Sequence, residues 1–173
     1  ITATQMLDSM IRNSIPTRAE ASDICNAIFD GTDAIMLSGE SASGLFPIEA
    51  AKTMAKIAQE AEEYLDYNHL TTRLREPSLT DYAAAISYSA CRTANLLNAK
   101  AIVAATKSGA TARLLSRYKS KAPIIAITPY EQVRRTLNLC FGIFPMQCDM
   151  FNTTDQILNE AKNVVFRLGI TQP

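Results

Sequence analysis

The apolar run at residues 101–105 constrains the fold most, because a turn and a helical pattern come directly after it. The run is too short for an independent helix and contains the Ile and Val expected of a buried strand. Residues 106–109 then form a hydroxyl-rich turn with one glycine, and Leu114, Leu115 and Tyr118 recur at helical spacing. Strand, turn and helix in this order predict one unit of a parallel sheet.

The same alternation continues through the second half of the chain. Each connection between predicted strands is long enough for a right-handed crossover helix. We therefore expect residues 80–173 to form an open, mainly parallel sheet between two layers of helices, an αβα three-layer domain. The predicted strands are 101–105, 124–128 and 142–147, and the predicted helices are 80–97, 110–118, 130–139 and 154–168.

Residues 1–66 show a second βα pattern. Extended segments are predicted at 1–4 and 33–37. A capping box at Thr17–Glu20 opens one helix, and Pro47 opens a longer one with Ile48, Ala51 and Met54 on its apolar face. Two such units cannot close a barrel or complete a sheet, so the first section is predicted to be an incomplete domain. The polar residues 67–79 are predicted to be a linker, in which His69 is a solvated side chain.

Composition excludes several classes of function. The 17 basic and 17 acidic residues cancel, which argues against nucleic acid or an anionic membrane as the main partner. No apolar run approaches the roughly 20 residues that span a bilayer. The cysteines form no CxxC pair and only one histidine is present, so we expect free thiols in a reducing cytoplasm rather than a zinc site. They are Cys25, Cys91, Cys140 and Cys148.

The turn after the first strand of the second section is a candidate anion site. A strand, a glycine-containing turn and a helix together present backbone N–H groups and a helix dipole to a phosphate. The alternative is an ordinary βα turn, and the basic residues from Arg113 onward are then a solvated face. The candidate residues of this phosphate cradle are Thr106, Lys107, Ser108, Gly109 and Thr111.

A second candidate site lies where the two extended segments of the first section end. If they belong to a βα barrel, their carboxyl ends carry the catalytic groups. The hydroxyl of Thr4 can relay a proton through water, although a helix N-cap explains this residue equally well. Ser38 can bind a ligand nearby, and Glu40 is either a general base or a surface-loop carboxylate.

Taken together, the motifs resemble the pyruvate kinase family over essentially the whole chain. Motifs this long and this many are far more specific than any one of them alone. They are Thr2–Met10, Pro16–Glu20, Asp23 with Asn26 and Ala27, Gly31 with Asp33–Glu40, Phe46 and Pro47 with Glu49 and Ala50, Lys107–Gly109, Arg117 and Tyr118, Ala122–Ala126, and Gly142 with Pro145.

The resemblance implies a fold and an activity. Residues 1–66 would be the last part of a catalytic TIM (β/α)8 barrel, and residues 80–173 most of the C-terminal allosteric domain, truncated at its end. The family transfers the phosphoryl group of phosphoenolpyruvate to ADP in glycolysis, with Mg2+ and K+. Thr4 falls where the family has a threonine implicated in proton delivery, and Ser38 on a serine thought to share that relay. The loop from Thr106 to Thr111 falls where many members bind the phosphate of a sugar or nucleotide effector.

Some features set limits on these expectations. Ala110 stands where some members carry a basic or larger residue, so the effector is left open, and Ser41 replaces the usual threonine. The chain begins without Met and is expected to be a piece of a longer protein, of bacterial type and homotetrameric. The ligands of Mg2+ and K+ are not found in it, so this chain alone is expected to be inactive. The alternative is a non-enzymatic regulatory module that binds a phosphorylated metabolite and mediates oligomerisation.

Overall fold

A computed structural model of the chain describes residues 1–67, 69–70 and 81–170. The chain divides into two units, Ile1–Asp66 and Tyr67–Pro173, and each has its own hydrophobic core. Of the predicted linker, only Tyr67, His69 and Leu70 are among the described residues, and the rest lies outside them. Within the described part of the chain, no helix is both long and apolar enough to cross a membrane.

The first unit consists of short helical elements around one small core. Its core side chains are Met6, Leu7, Met10, Ile24, Ala50 and Met54. The elements are a 3-10 helix at Asp8–Ile11 and the helices α1 (Arg18–Phe29), α2 (Gly39–Ala42) and α3 (Pro47–Glu63).

The two strands predicted in this unit are reduced to a single residue pair. Thr2 and Ile35 form an isolated parallel bridge, in which the Thr2 N–H donates to Ala34 O at 2.9 Å and the Met36 N–H to Thr2 O at 3.0 Å. Thr4 has a positive φ, which ends the first extended segment, and α2 begins soon after the second. The prediction of full strands at 1–4 and 33–37 is therefore wrong in extent, although the parallel direction is correct.

Helix α1 begins at the predicted capping box and ends at a glycine. The Thr17 hydroxyl accepts from the Glu20 N–H, and the Glu20 carboxylate accepts from the Thr17 N–H at 2.8 Å. At the other end Gly31 has φ +83, a left-handed conformation that glycine adopts without steric cost. Its N–H donates to Ile28 O and the Thr32 N–H to Ala27 O, the pattern of a Schellman cap.

The buried face of α3 differs from the predicted one. Ala50, Met54 and Ala61 are buried, whereas Ile48 is 63% exposed and Ala51 is exposed. The buried residues lie about a third of a turn around the helix from the stripe that contains Ile48 and Ala51. Met54 is buried as predicted, and the packing of α3 against the core of this unit buries Ala50 with it instead of Ile48 and Ala51.

Three parallel strands form the centre of the second unit in the order β1 (Ile102–Ala105), β2 (Ile124–Thr128) and β3 (Ile143–Gln147). Ala104 of β1 is opposite Ala126 of β2, which in turn is opposite Pro145 of β3. All five residues of β2 are buried, as expected for the middle strand of a sheet covered on both faces.

Helices cover both faces of this sheet, which confirms the predicted αβα layering. On one face, Cys91, Leu115 and Leu137 pack with Ile124; on the other, Val164 packs with Ile125 and Ile127. The helices are α4 (Tyr82–Leu96), α5 (Ala110–Arg117), α6 (Glu131–Leu137) and α7 (Thr154–Arg167).

Candidate functional site

The predicted phosphate cradle connects β1 to α5 and is held together by Thr106. The Thr106 N–H donates to Ile127 O of β2 at 3.0 Å, and its Oγ1 accepts from the Gly109 N–H at 2.9 Å. Thr106 is only 5% exposed, so its hydroxyl acts within the loop. Lys107, Ser108 and Thr111 are exposed.

Gly109 is required by both conformation and space. Its φ is +84, and a Cβ at this position would lie 3.2 Å from side-chain atoms of both Val133 and Leu137 in α6. The first intrahelical bond of α5 runs from the Arg113 N–H to Gly109 O, so the N–H groups of residues 110–112 precede it at the helix end. Positive electrostatic potential therefore collects beside the exposed hydroxyls.

Arg113 is exposed, as its sequence predicts, and its guanidinium also hydrogen-bonds to this loop. Its Nη1 donates to Ser108 O at 3.1 Å and its Nη2 to Thr136 Oγ1 at 3.3 Å. The guanidinium thus joins the cradle to α6. Nothing in the local sequence shows this, because Thr136 lies 23 residues further along the chain.

The predicted catalytic residues of the first unit lie at one end of the paired segments. Thr4 follows Thr2 by two residues and Ser38 follows Ile35 by three, and the parallel bridge between Thr2 and Ile35 directs both toward the same end. Thr4 is exposed and Ser38 is half-buried.

The backbone at Thr4 is unusual. Thr4 and Gln5 have φ of +72° and +56°, two successive non-glycine residues in the left-handed region. Such conformations cost about 1–3 kcal/mol each and persist only where the surroundings impose them, most often at functional sites. The Thr4 Oγ1 donates to Ala3 O at 2.5 Å.

Glu40 is neither an exposed loop carboxylate nor available as a general base. It is 2% exposed, and its two oxygens accept from the Leu7 N–H at 3.1 Å and the Ser38 N–H at 2.7 Å. Burial raises the pKa of this carboxyl, but the backbone N–H groups of Glu40, Ser38 and Leu7 outweigh burial, and its pKa lies below the usual 4.5.

Glu20 is a second carboxylate held by backbone N–H groups in this unit. It accepts from the Ser9 N–H at 2.7 Å and the Ser9 hydroxyl at 2.5 Å, in addition to Thr17. Burial raises its pKa, but these hydrogen bonds dominate and lower the pKa to about 2. The carboxylate ties the start of α1 to the 3-10 helix.

The described residues do not fit a metal site. Among residues 1–67, 69–70 and 81–170, no three His, Cys, Asp or Glu side chains come close enough together to hold a metal ion. Both oxygens of Glu20 and of Glu40, whose pKa values are lowered, already accept hydrogen bonds from N–H or O–H donors. These carboxylates are therefore unsuited to bind Mg2+ or K+.

Comparison with known proteins identifies the family. The model of the pyruvate kinase barrel domain matches residues 1–51, and that of the pyruvate kinase alpha/beta domain matches residues 84–173. A pyruvate kinase of Clostridium perfringens is 64% identical over 99% of this chain, and one of Geobacillus stearothermophilus is 48% identical over 99%.

A crystal structure of a pyruvate kinase from Cryptosporidium parvum superposes with a TM-score of 0.90 and 36% identity over 99% of this chain. The chain spans 37% of the Clostridium relative, 29% of the Geobacillus relative and 35% of the crystallised chain. With both domain models matching in sequence order and the αβα unit in place, the chain belongs to the pyruvate kinase family and contains part of its barrel domain followed by its alpha/beta domain.

Proposed function

We propose that this segment works in an enzyme that transfers the phosphoryl group of phosphoenolpyruvate to ADP, giving pyruvate and ATP. The observation that carries the proposal is the match to pyruvate kinase sequences over nearly the whole chain, at up to 64% identity. The enzyme is a cytoplasmic homotetramer that uses Mg2+ and K+, with metal ligands other than the carboxylates described above.

Thr4 and Ser38 deliver the proton in the second half of this reaction. Loss of the phosphoryl group leaves the enolate of pyruvate, whose methylene carbon must gain a proton. The Thr4 O–H breaks as the new C–H bond forms, and Thr4 regains a proton through water and Ser38. The strained backbone at Thr4 and Gln5 supports this role.

The activity is tested by expressing a longer chain that carries this segment after an upstream barrel sequence. We expect ATP formation from phosphoenolpyruvate and ADP by the longer chain and none by the present 173 residues. Absence of turnover in the longer chain would overturn the proposed reaction. Turnover by the present chain would contradict its predicted inactivity.

We also propose that the loop at Thr106–Thr111 holds the phosphate of a sugar or nucleotide effector. Thr106 and Gly109 shape the loop, while Lys107, Ser108 and Thr111 present an ammonium and two hydroxyls from exposed positions. Titration with glucose 6-phosphate, AMP and inorganic phosphate tests this, with unphosphorylated glucose as the ligand control.

The matched variant for that titration is Ser108→Ala/Thr111→Ala. We expect its affinity for the phosphorylated ligands to fall at least about tenfold, since a hydrogen bond to a charged group contributes about 1.5–3 kcal/mol. Ser89→Ala, an exposed serine on α4, serves as the protein control and should bind like the wild type. Equal binding by the double variant and the wild type would count against the cradle.

A non-enzymatic regulatory module is the second candidate. The exposed hydroxyls of the cradle, together with the lack of a metal-binding set among the described residues, favour it over catalysis by this segment alone. The sequence that precedes Ile1 in the parent gene separates the two: a barrel with acidic metal ligands supports the enzyme, and its absence supports the module.

A further inference from the structure

We propose that Glu40 is a positioning residue for the proton relay, fixing the backbone of the two segments that carry Thr4 and Ser38. This inference rests on the proposed function and adds to it a residue that does not touch the reacting atoms. Its basis is a single buried carboxylate shared between two loops.

The carboxylate joins segments that are distant in sequence. One oxygen accepts from the N–H of Leu7, three residues after Thr4, and the other accepts from the N–H of Ser38 itself. Glu40 and Leu7 are 33 residues apart. One side chain therefore links the backbone of the Thr4 loop to the backbone of the Ser38 loop.

Both backbones that Glu40 restrains depart from ordinary conformations. Thr4 and Gln5 lie in the left-handed region, and Ser38 has φ −120° and ψ −103°. Conformations of this kind relax unless neighbouring groups hold them. A buried carboxylate that accepts two hydrogen bonds provides such a restraint, because breaking either hydrogen bond leaves the negative charge poorly solvated.

Only a carboxylate suits this position. Both of its partners are N–H donors, so both side-chain oxygens must accept. A glutamine has one oxygen and one NH2 group, and the NH2 would face an N–H donor. The conservative change Glu40→Gln therefore removes one restraint while nearly preserving the volume of the side chain.

The experiment uses the longer, active enzyme and compares two rates. The first is ATP formation, and the second is the exchange of pyruvate methyl hydrogens for solvent deuterium, in which a methyl C–H breaks, its proton passes to the relay and a deuteron returns to the carbon. We expect Glu40→Gln to lower the ratio of exchange to ATP formation about tenfold or more, since small displacements of a reacting group reduce rates steeply.

Glu20→Gln is the matched control. It makes the same chemical change at another carboxylate of the same unit, one that also accepts backbone N–H bonds but contacts Ser9 and Thr17 instead. A loss of folded enzyme lowers both rates together. The control should therefore keep the wild-type ratio even where it lowers stability.

The possible outcomes distinguish a failure of this inference from a failure of the proposed function. Absence of ATP formation by the wild type overturns the proposed function, and an unchanged ratio in Thr4→Val overturns the relay. A changed ratio in Thr4→Val with an unchanged ratio in Glu40→Gln overturns the positioning role alone.

If Glu40→Gln does not fold, hydrogen–deuterium exchange of the wild-type backbone amides tests the restraint instead. The N–H groups of Leu7 and Ser38 should be protected from exchange, and fast exchange at both would refute the restraint.

Discussion

At the residue scale, buried polar side chains determine the local geometry of both candidate sites. Thr106 closes the cradle and Glu40 joins two loops. Within the described part of the chain, every buried side-chain nitrogen and oxygen has a hydrogen-bond partner. Hydrogen bonding of the buried polar atoms is expected, because a buried polar group without a partner costs about 1–3 kcal/mol of stability.

The sequence identifies these residues more readily than it identifies their roles. Thr4, Ser38 and the cradle loop can be singled out because they end predicted strands. The role of Glu40 cannot be predicted, since its partners are backbone N–H groups, one of which belongs to a residue 33 positions away. The hydrogen bond from Arg113 to Thr136 cannot be predicted for the same reason, since Thr136 is on another helix.

Cys91 provides a prediction at this scale. It is fully buried, its Sγ donates to Leu115 O at 3.5 Å, and burial raises its pKa to about 11. Because the thiolate is the reactive form, native Cys91 should resist iodoacetamide at about pH 8 while the half-buried Cys25 is modified first. Mass spectrometry of labelled peptides, with urea-unfolded protein as the control, measures this. Equal labelling rates of Cys91 and Cys25 in the native protein would contradict this prediction.

At the scale of elements, helix existence is predictable, whereas the buried face of a helix is predictable only in part. The helices of the second unit lie within two residues of their predicted bounds, because caps and periodicity are local signals. Leu115 and Tyr118 in and just after α5 are buried, whereas Ile48, which periodicity assigns to the apolar face of α3, is 63% exposed. Helix α3 has apolar residues on more than one side, and tertiary packing decides which of them are buried.

Two substitutions in helix α7 test how much a buried helix face contributes to the free energy of unfolding. Val164 is fully buried against Ile125 and Ile127, whereas Leu158 on the same helix is 53% exposed. We expect Val164→Ala to lower the free energy of unfolding by about 1–3 kcal/mol, since it leaves a cavity in the core. Leu158→Ala removes more atoms but should change it by only about 0.5 kcal/mol.

Urea unfolding followed by circular dichroism measures both variants of α7. The comparison is informative because the smaller truncation is predicted to have the larger effect. A greater loss in Leu158→Ala than in Val164→Ala would contradict the packing of α7 described above.

At the scale of the whole molecule, the order of the secondary-structure elements and the protein family are predictable. The number of residues over which the extended segments of the first unit pair is not. Alternating strand and helix patterns predict the αβα unit correctly. The barrel part cannot be predicted in the same detail, because whether two extended segments pair over several residues or only one depends on backbone angles such as those at Thr4 and Gln5.

Acid stability is a property of the whole chain, since lowered carboxyl pKa values occur in both units. The pKa of Glu20 is lowered from 4.5 to about 2, because hydrogen bonds from Ser9 and Thr17 outweigh the opposing effect of burial. That of Glu131 is lowered to about 2 by hydrogen bonds from Arg134 and Arg135. A lowered folded-state pKa adds stability above the unfolded-state value, and this is lost as the pH falls through the folded-state value.

We therefore expect the melting temperature to be steady above about pH 4.5 and to fall between about pH 4.5 and 2. Glu20→Gln should flatten this fall, whereas Asp23→Asn, an exposed carboxylate on the same helix, should not. Glu131 contributes little, because its ion pairs with Arg134 and Arg135 lie at the protein surface. Thermal unfolding at a series of pH values is the measurement, and the same slope in wild type and Glu20→Gln would refute the role of Glu20.

The cap at Gly31 sets a limit on how this chain can change in length. The Schellman cap turns the chain directly from α1 into the segment that pairs with Thr2, and Thr2 Oγ1 donates to Thr32 Oγ1 at 2.9 Å along the way. A one-residue insertion between Gly31 and Ile35 would reverse the side on which Ile35 points and would shift Ser38 relative to Thr4. Insertions and deletions in this stretch are therefore expected to disturb the alignment of the two loops more than substitutions of residues 32–34, because they change the number of residues between Gly31 and the bridge at Ile35.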